Sequence, residues 1–176
     1  MSPKELEAWL ERLHEESFGW ALNCSGGDAA RAEDVLQTAY VRVISGRAIY
    51  AQRSSFRTWL FGVIRRVAQE ENRRTRKERQ RTVMIEAAIA LGVADEPARS
   101  PDQLESSNVL REALGQLPQR QREVLHLVFY QDLSIADAAD VMEISVGSAR
   151  THYERGKARL RLFLGERKHE RPATGS

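Results

Sequence analysis

From Leu6 to Leu164 the apolar residues recur at spacings of three and four, and no segment sustains an apolar–polar alternation. That period predicts helices throughout and leaves no candidate strand. Leu6, Trp9, Leu10, Leu13, Ser17, Trp20 and Ala21 form a first amphipathic face. Ser25-Gly26-Gly27-Asp28 interrupts it, and Asp28 can cap a second helix lined by Ala32, Val35, Leu36, Ala39, Tyr40 and Val43. A connector opens at Ser45-Gly46 and runs to about Arg53. Ser54 or Ser55 can then cap a third helix, with Phe56, Trp59, Leu60, Val63, Ile64 and Val67 as its stripe. That helix meets no breaker before Arg73-Arg74-Thr75-Arg76-Lys77, and residues 82–89 can form a short further helix.

Gly92, Pro97, Ser100 and Pro101 punctuate a polar, acidic stretch, the best domain boundary in the chain. The expected fold is all-α: a helical domain over residues 1–81, a flexible acidic linker over 82–116 and a second helical domain over 117–176. The second helical pattern begins near Asp102, with Leu104, Val109, Leu110, Ala113 and Leu117 as its apolar points. Pro118 stands where a helix starts, and Val124, Leu125, Val128 and Phe129 give that helix a core face. Asp132-Leu133-Ser134 makes a turn, a short helix follows from Ile135 to Met142, and Glu143-Ile144-Ser145 makes a second tight turn. Ser145 can cap a long helix from Val146 to about Leu164. Two helices joined by a three-residue turn, the second rich in Arg and Lys, have the layout of a helix-turn-helix.

A formal net charge of +2 conceals an uneven distribution. Residues 1–34 hold three basic and eight acidic side chains, and residues 65–81 hold eight and three. Residues 82–116 hold two and six, and residues 150–161 hold five and one. Two basic zones between acidic ones suit a polyanion that meets the chain twice, although solvated Arg-rich helix faces would give the same count. Enzymatic readings find little support. His14, His126, His152 and His169 stand apart, with no metal-ligand neighbour at helical spacing. Cys24 is the one cysteine, so neither an internal disulfide nor a Cys-rich zinc site can form, and no basic neighbour would activate it as a nucleophile. There is no Gly-rich phosphate loop. The expectation is a chain with no enzymatic activity, cofactor or metal. It has no run long and apolar enough to span a membrane and no secretory signal, which makes the cytoplasm the default compartment.

On a helical wheel Val146, Ala149, Tyr153, Gly156 and Leu160 share the inner side of the last helix. Ser148, Thr151, Glu154 and Arg155 share the outer side, with Arg150 and Lys157 on one flank. Short hydroxyls in the first turns and basic groups later suit a helix that reads the major groove and then meets phosphates. In the other basic zone, Arg57, Arg65, Arg66, Arg73, Arg74, Arg76 and Lys77 flank the stripe. Basic groups interleaved with rings fit single-stranded nucleic acid. Phe56 and Trp59 fall on the stripe as core, whereas Tyr50 and Phe61 fall off it and are the better stacking candidates.

Two motif blocks resemble one family. Leu117-Pro118-Gln119-Arg120-Gln121-Arg122-Glu123-Val124-Leu125, with Leu133-Ser134-Ile135-Ala136 and Ser145-Val146-Gly147-Ser148-Ala149-Arg150, resembles the promoter-reading helix-turn-helix of bacterial sigma factors. Ala32-Glu33-Asp34-Val35-Leu36-Gln37 and Ser54-Ser55-Phe56-Arg57-Thr58-Trp59-Leu60 resemble that family's first conserved domain. Order and spacing are similar to the small two-domain type, the extracytoplasmic-function (ECF) sigma factors, over roughly residues 6–164. The resemblance implies a transcription initiation factor that binds core RNA polymerase and both duplex and single-stranded promoter DNA. It implies that Asp34, Gln37 and Arg42 face the clamp of the polymerase's largest subunit. It places residues 47–58, with Tyr50, Arg53, Ser54 and Arg57, at the minus-ten element, and the off-stripe ring Phe61 and the basic residue Arg65 are expected to join them. It places Arg150, Thr151, Glu154 and Arg155 at the minus-thirty-five element, with Ser148 and Lys157 on phosphates. An anti-sigma partner is implied as well. A sigma-like decoy that sequesters an anti-sigma factor, or a stand-alone helix-turn-helix regulator, are the alternatives. The chain departs from the family pattern at Arg66, where relatives often carry Asn, at Glu70, often Asp, and at Glu143, a turn position usually held by Gly.

Overall fold

The computed structural model describes residues 2–86 and 112–169, with side chains over 2–78 and 112–165. The described residues are helical: α1 Pro3–Arg12, α2 His14–Cys24, α3 Ala29–Ile44, α4 Phe56–Glu86, α5 Gln119–Phe129, α6 Ile135–Met142 and α7 Val146–His169. Most of the stretch expected as a linker, and Leu104, Val109 and Leu110 with it, lies outside the described residues. Residues 82–86 continue α4 instead of starting a new helix.

Local chemistry sets the ends. Ser2 and Glu5 form a reciprocal capping box, with Pro3 at the first helical position. The first amphipathic face is two helices, broken at Leu13, whose φ and ψ of −93° and 5° leave the helical range. Asp28 Oδ1 accepts from the Arg31 amide at 3.1 Å. Of the two candidate caps for α4, Ser55 takes the part, its Oγ accepting from the Thr58 amide at 3.1 Å. Ser134 caps α6 and Ser145 caps α7, each accepting from the amide three residues on at 3.1 Å. Glu143 ends α6 in the left-handed region, φ 54° and ψ 46°. A side chain there carries a backbone cost that Gly avoids.

Helices α1–α4 form one unit and α5–α7 a second. A single apolar cluster runs through both: Trp20, Leu36, Leu60 and Ile64 of the first pack into continuity with Val124, Leu127, Val141, Met142 and Ala149 of the second. The seam lies along α4, which is buried on two sides. Trp20 donates from Nε1 to the Phe61 carbonyl at 3.0 Å and faces His126 of α5 at 5.5 Å between ring centroids.

Candidate nucleic-acid interface

The last helix presents its outer side as the wheel places it. Ser148, Arg150, Thr151, Glu154 and Arg155 are exposed, while Ala149 and Gly156 are buried. Gly156 is where α7 approaches α5. A Cβ built there would meet Leu125 Cδ1 at 3.0 Å and Gln121 Cβ at 3.3 Å, so this helix crossing needs a glycine. Two inner positions differ from the wheel. Val146, at the first helical position, is exposed, because inward packing starts only at Ala149. Phe129 of α5 is exposed as well, stacked on Tyr153 with centroids 5.8 Å apart. In the first turn of α7, the Ser145 hydroxyl donates to Ser148 Oγ at 2.9 Å, and Thr151 Oγ1 donates to the Gly147 carbonyl at 2.9 Å. Arg150 and Arg155 stand clear at the surface. Lys157 is half-covered, 3.0 Å from Glu154 Oε1 and 4.3 Å above the Tyr153 ring.

The first zone has a different environment. Arg53 is exposed and Ser54 half-buried in the connector before α4. Tyr50 packs edge-on against Phe56 at 5.4 Å, lies 5.2 Å from Trp59, and donates its hydroxyl to the Ser54 carbonyl at 2.6 Å. Phe61 is fully buried, not at the surface where a stacking ring would stand. Its ring lies 6.3 Å from Trp20 of α2, with the Arg57 guanidinium 5.5 Å from its centroid. Arg65 is 6% exposed and Glu123 1%. Arg65 donates from Nε and Nη2 to Glu123 Oε2, both at 3.1 Å, and from Nη1 to the Met142 carbonyl at 3.0 Å. Gln119 completes the carboxylate's partners, donating to Oε1 at 2.8 Å. Arg57 donates to the Gln131 carbonyl at 2.6 Å, and its Nε lies 2.6 Å from Glu16 Oε2 without hydrogen-bond alignment. Arg57, Phe61 and Arg65 therefore face protein, Tyr50 and Ser54 are half-buried, and Arg53 is exposed.

Sequence reasoning missed Glu16, Glu123 and Gln131 as their partners. Glu123 did leave a signal: it lies four residues before buried Leu127, so a charge stands at a core position and needs a buried counter-charge. Gln131 left none. Its side chain joins the Glu16 carbonyl, His126 Nε2 and Arg57 across the seam. Burial pushes His126 down to about 4 from the ordinary 6.5, so the ring is neutral. Burial, with Glu123 adding to it, pushes the Cys24 thiol well up, which makes it a poor nucleophile.

On α3, Asp34 and Gln37 are exposed. Arg42 is engaged by Glu70 in a two-point pair at 3.1 and 2.5 Å, and that bond holds the Glu70 carboxyl below its ordinary range.

Two family models match: sigma-70 region 2 over residues 9–78 and sigma-70 region 4 over residues 107–160. The ECF RNA polymerase sigma factor SigX of Bacillus subtilis is 33% identical over 141 residues, 78% of this chain and 72% of that one. This chain belongs to the ECF RNA polymerase sigma factors. The ECF sigma factor SigC of Mycobacterium tuberculosis is 30% identical over 157 residues, covering 89% of this chain and 82% of its own. The sigma factor RpoE of Bartonella quintana, solved with the anti-sigma factor NepR, shares the fold. Its TM-score is 0.68 at 22% identity, over 96% of this chain and 99% of that one. CnrH, solved with the cytosolic domain of CnrY, gives 0.63 at 20% identity, over 94% and 90%. The sigma factor is thus all-α, and its function is transcription initiation. No helix among its described residues is long and apolar enough to cross a membrane.

Proposed function

We propose that this sigma factor docks on core RNA polymerase through the Asp34–Gln37 face of α3 and reads promoter duplex with α7. In this reading Arg150 and Thr151 address base edges of the minus-thirty-five element, with Glu154 beside them. Ser148, Arg155 and Lys157 hold phosphates. Tyr50, Arg53, Ser54, Arg57, Phe61 and Arg65 belong to the site that captures the opened minus-ten strand. The observation that carries this proposal is the row of exposed hydrogen-bonding side chains, Ser148 to Arg155, on a helix fixed by the Ser145 cap and the close Gly156 crossing. Such a rigid, convex polar edge suits a groove. A decoy that only traps an anti-sigma factor has no use for free arginines on that edge.

The protein acts without enzymatic chemistry, in the cytoplasm where core polymerase works. An anti-sigma factor is a partner; the solved relatives RpoE and CnrH were each captured with another protein, NepR an anti-sigma factor by name. The docking half is tested by Asp34→Arg combined with Gln37→Ala. The double variant is expected to weaken core-polymerase binding in a titration while circular dichroism stays unchanged. Unchanged affinity would remove Asp34 and Gln37 from the interface.

A further inference from the structure

A ladder of rings leads from the connector before α4 to the C-terminal end of α1. Tyr50 packs on Phe56 with centroids 5.4 Å apart, and Phe56 packs on Trp9 of α1 at 5.6 Å. Trp9 is 36% exposed, and the Arg12 guanidinium lies over its ring, 3.7 Å from the centroid. Three short steps thus join the Tyr50 ring to an exposed cation in the last turn of α1. The surrounding segment is acidic, with three basic and eight acidic side chains over residues 1–34, so a general attraction for polyanions does not explain a cation here. Nor does a local ion pair: Arg12 makes no hydrogen bond or salt bridge among the described residues. Glu16, four residues on and spaced to pair with it, lies 2.6 Å from Arg57 instead. The Trp9 ring is what positions the Arg12 side chain, and the outer face of the guanidinium is left to solvent.

We propose that Arg12 is a further contact for the opened promoter strand: its guanidinium, backed by Trp9, stacks on an unpaired base next to those held by the Tyr50–Arg53 connector. The proposal rests on the reading of that connector as part of the minus-ten strand site. A guanidinium is planar, delocalised and weakly hydrated, so one face can rest on an aromatic ring while the other takes a base. An ammonium group is a point charge and offers no such plane. Every base has a stacking face, so this contact adds hold on the strand without adding sequence preference. Paired duplex keeps those faces inside its own stack, so Arg12 acts only after the DNA has opened.

The test uses the full chain assembled with core RNA polymerase on a promoter that the wild type opens. 2-Aminopurine is placed at successive positions of the opened strand, and a competitor challenge gives the lifetime of the open complex. Arg12→Ala is expected to shorten that lifetime about tenfold, the loss of one stacked base. It should also change the fluorescence at one aminopurine position while closed-complex binding holds. Arg12→Lys keeps the charge and is expected to lose nearly as much. Trp9→Leu keeps an apolar body against Phe56, removes the backing ring and is expected to match Arg12→Ala. The double variant should lose no more than either single one, because ring and guanidinium act as a unit. A wild-type lifetime in Arg12→Ala, or full recovery in Arg12→Lys, overturns the proposal. Arg53→Ala is the reference for the connector. If it shortens the lifetime and Arg12→Ala does not, the Arg12 contact fails and the minus-ten reading stands. If neither variant changes the lifetime or any aminopurine position, the minus-ten reading has failed and the Arg12 contact fails with it.

Discussion

The two basic zones of this sigma factor have similar composition and opposite fates. Around Arg150 and Arg155 the charges stand in solvent on the outer side of α7. Around Arg57 and Arg65 they are taken up by Glu16, Glu123 and Gln131. The difference is one of packing: α7 has one inner side, whereas the first half of α4 is buried on two, so Arg65 falls inside the protein and Arg57 half inside, while Arg66, Arg73, Arg74, Arg76 and Lys77 stay exposed. A basic stretch thus does not say whether its charges await a nucleic acid or already have partners. The partners' positions in the chain decide that, and here they lie 58 and 74 residues away.

The strongest way to break the contrast is to remove one partner of the buried pair. Arg65→Ala leaves Glu123 uncompensated and is expected to cost the folded protein about 3–5 kcal/mol. Replacing the pair together, Arg65→Met with Glu123→Leu, is expected to be close to neutral. Denaturant titration of the three proteins checks this, and equal losses in single and double variants would mean that the two charges do not compensate each other.

His126 sharpens the contrast through pH. Its folded value of about 4 lies below the ordinary 6.5, so the unfolded chain takes up the proton first. Its contribution is therefore fully present above about pH 6.5 and falls as pH drops toward 4, by on the order of 3 kcal/mol across the window. His126→Gln should flatten that part of the pH–stability profile. A profile equally steep in the variant would assign the acid sensitivity elsewhere.

Gly156 tests the second zone's rigidity. Gly156→Val forces methyl groups against Leu125 and Gln121 and is expected to cost about 1–3 kcal/mol, read by thermal unfolding. A Tm at or above that of the wild type would show that the crossing can give way. The smallest effect belongs to the exposed Arg42–Glu70 pair. Glu70→Ala should change stability by less than about 1 kcal/mol, and less still in high salt, despite its two-point geometry. A loss well beyond that in the same denaturant titration would give this surface pair a structural weight of its own.

What could be read in the sequence was local. Asp28, Ser134 and Ser145 cap their helices because a cap needs only its own side chain and an amide three residues on. Glu143 was recognisable as a misfit in its turn, and it does take the left-handed conformation. The outer side of α7 was legible because a helix with one buried side obeys a wheel. The break at Leu13 carried no Gly or Pro to announce it. The burial of Arg65 was hidden for a stronger reason: a wheel assumes one inner side, and the second inner side of α4 exists only because α6 packs on it and Glu123 of α5 reaches it.

The central claim, a sigma factor whose α7 reads promoter duplex, is tested most directly by transcription from a promoter library with core RNA polymerase. Wild type, Arg150→Ala and Arg155→Ala are compared at two salt concentrations. The expected result is initiation from a defined set of minus-thirty-five sequences by the wild type. Arg150→Ala should relax the preference at one base pair by about 1–3 kcal/mol. Arg155→Ala should weaken all promoters alike and lower the salt slope by about one unit. Initiation that does not depend on this chain, or an unchanged base preference in Arg150→Ala, would contradict the placement of α7 in the groove.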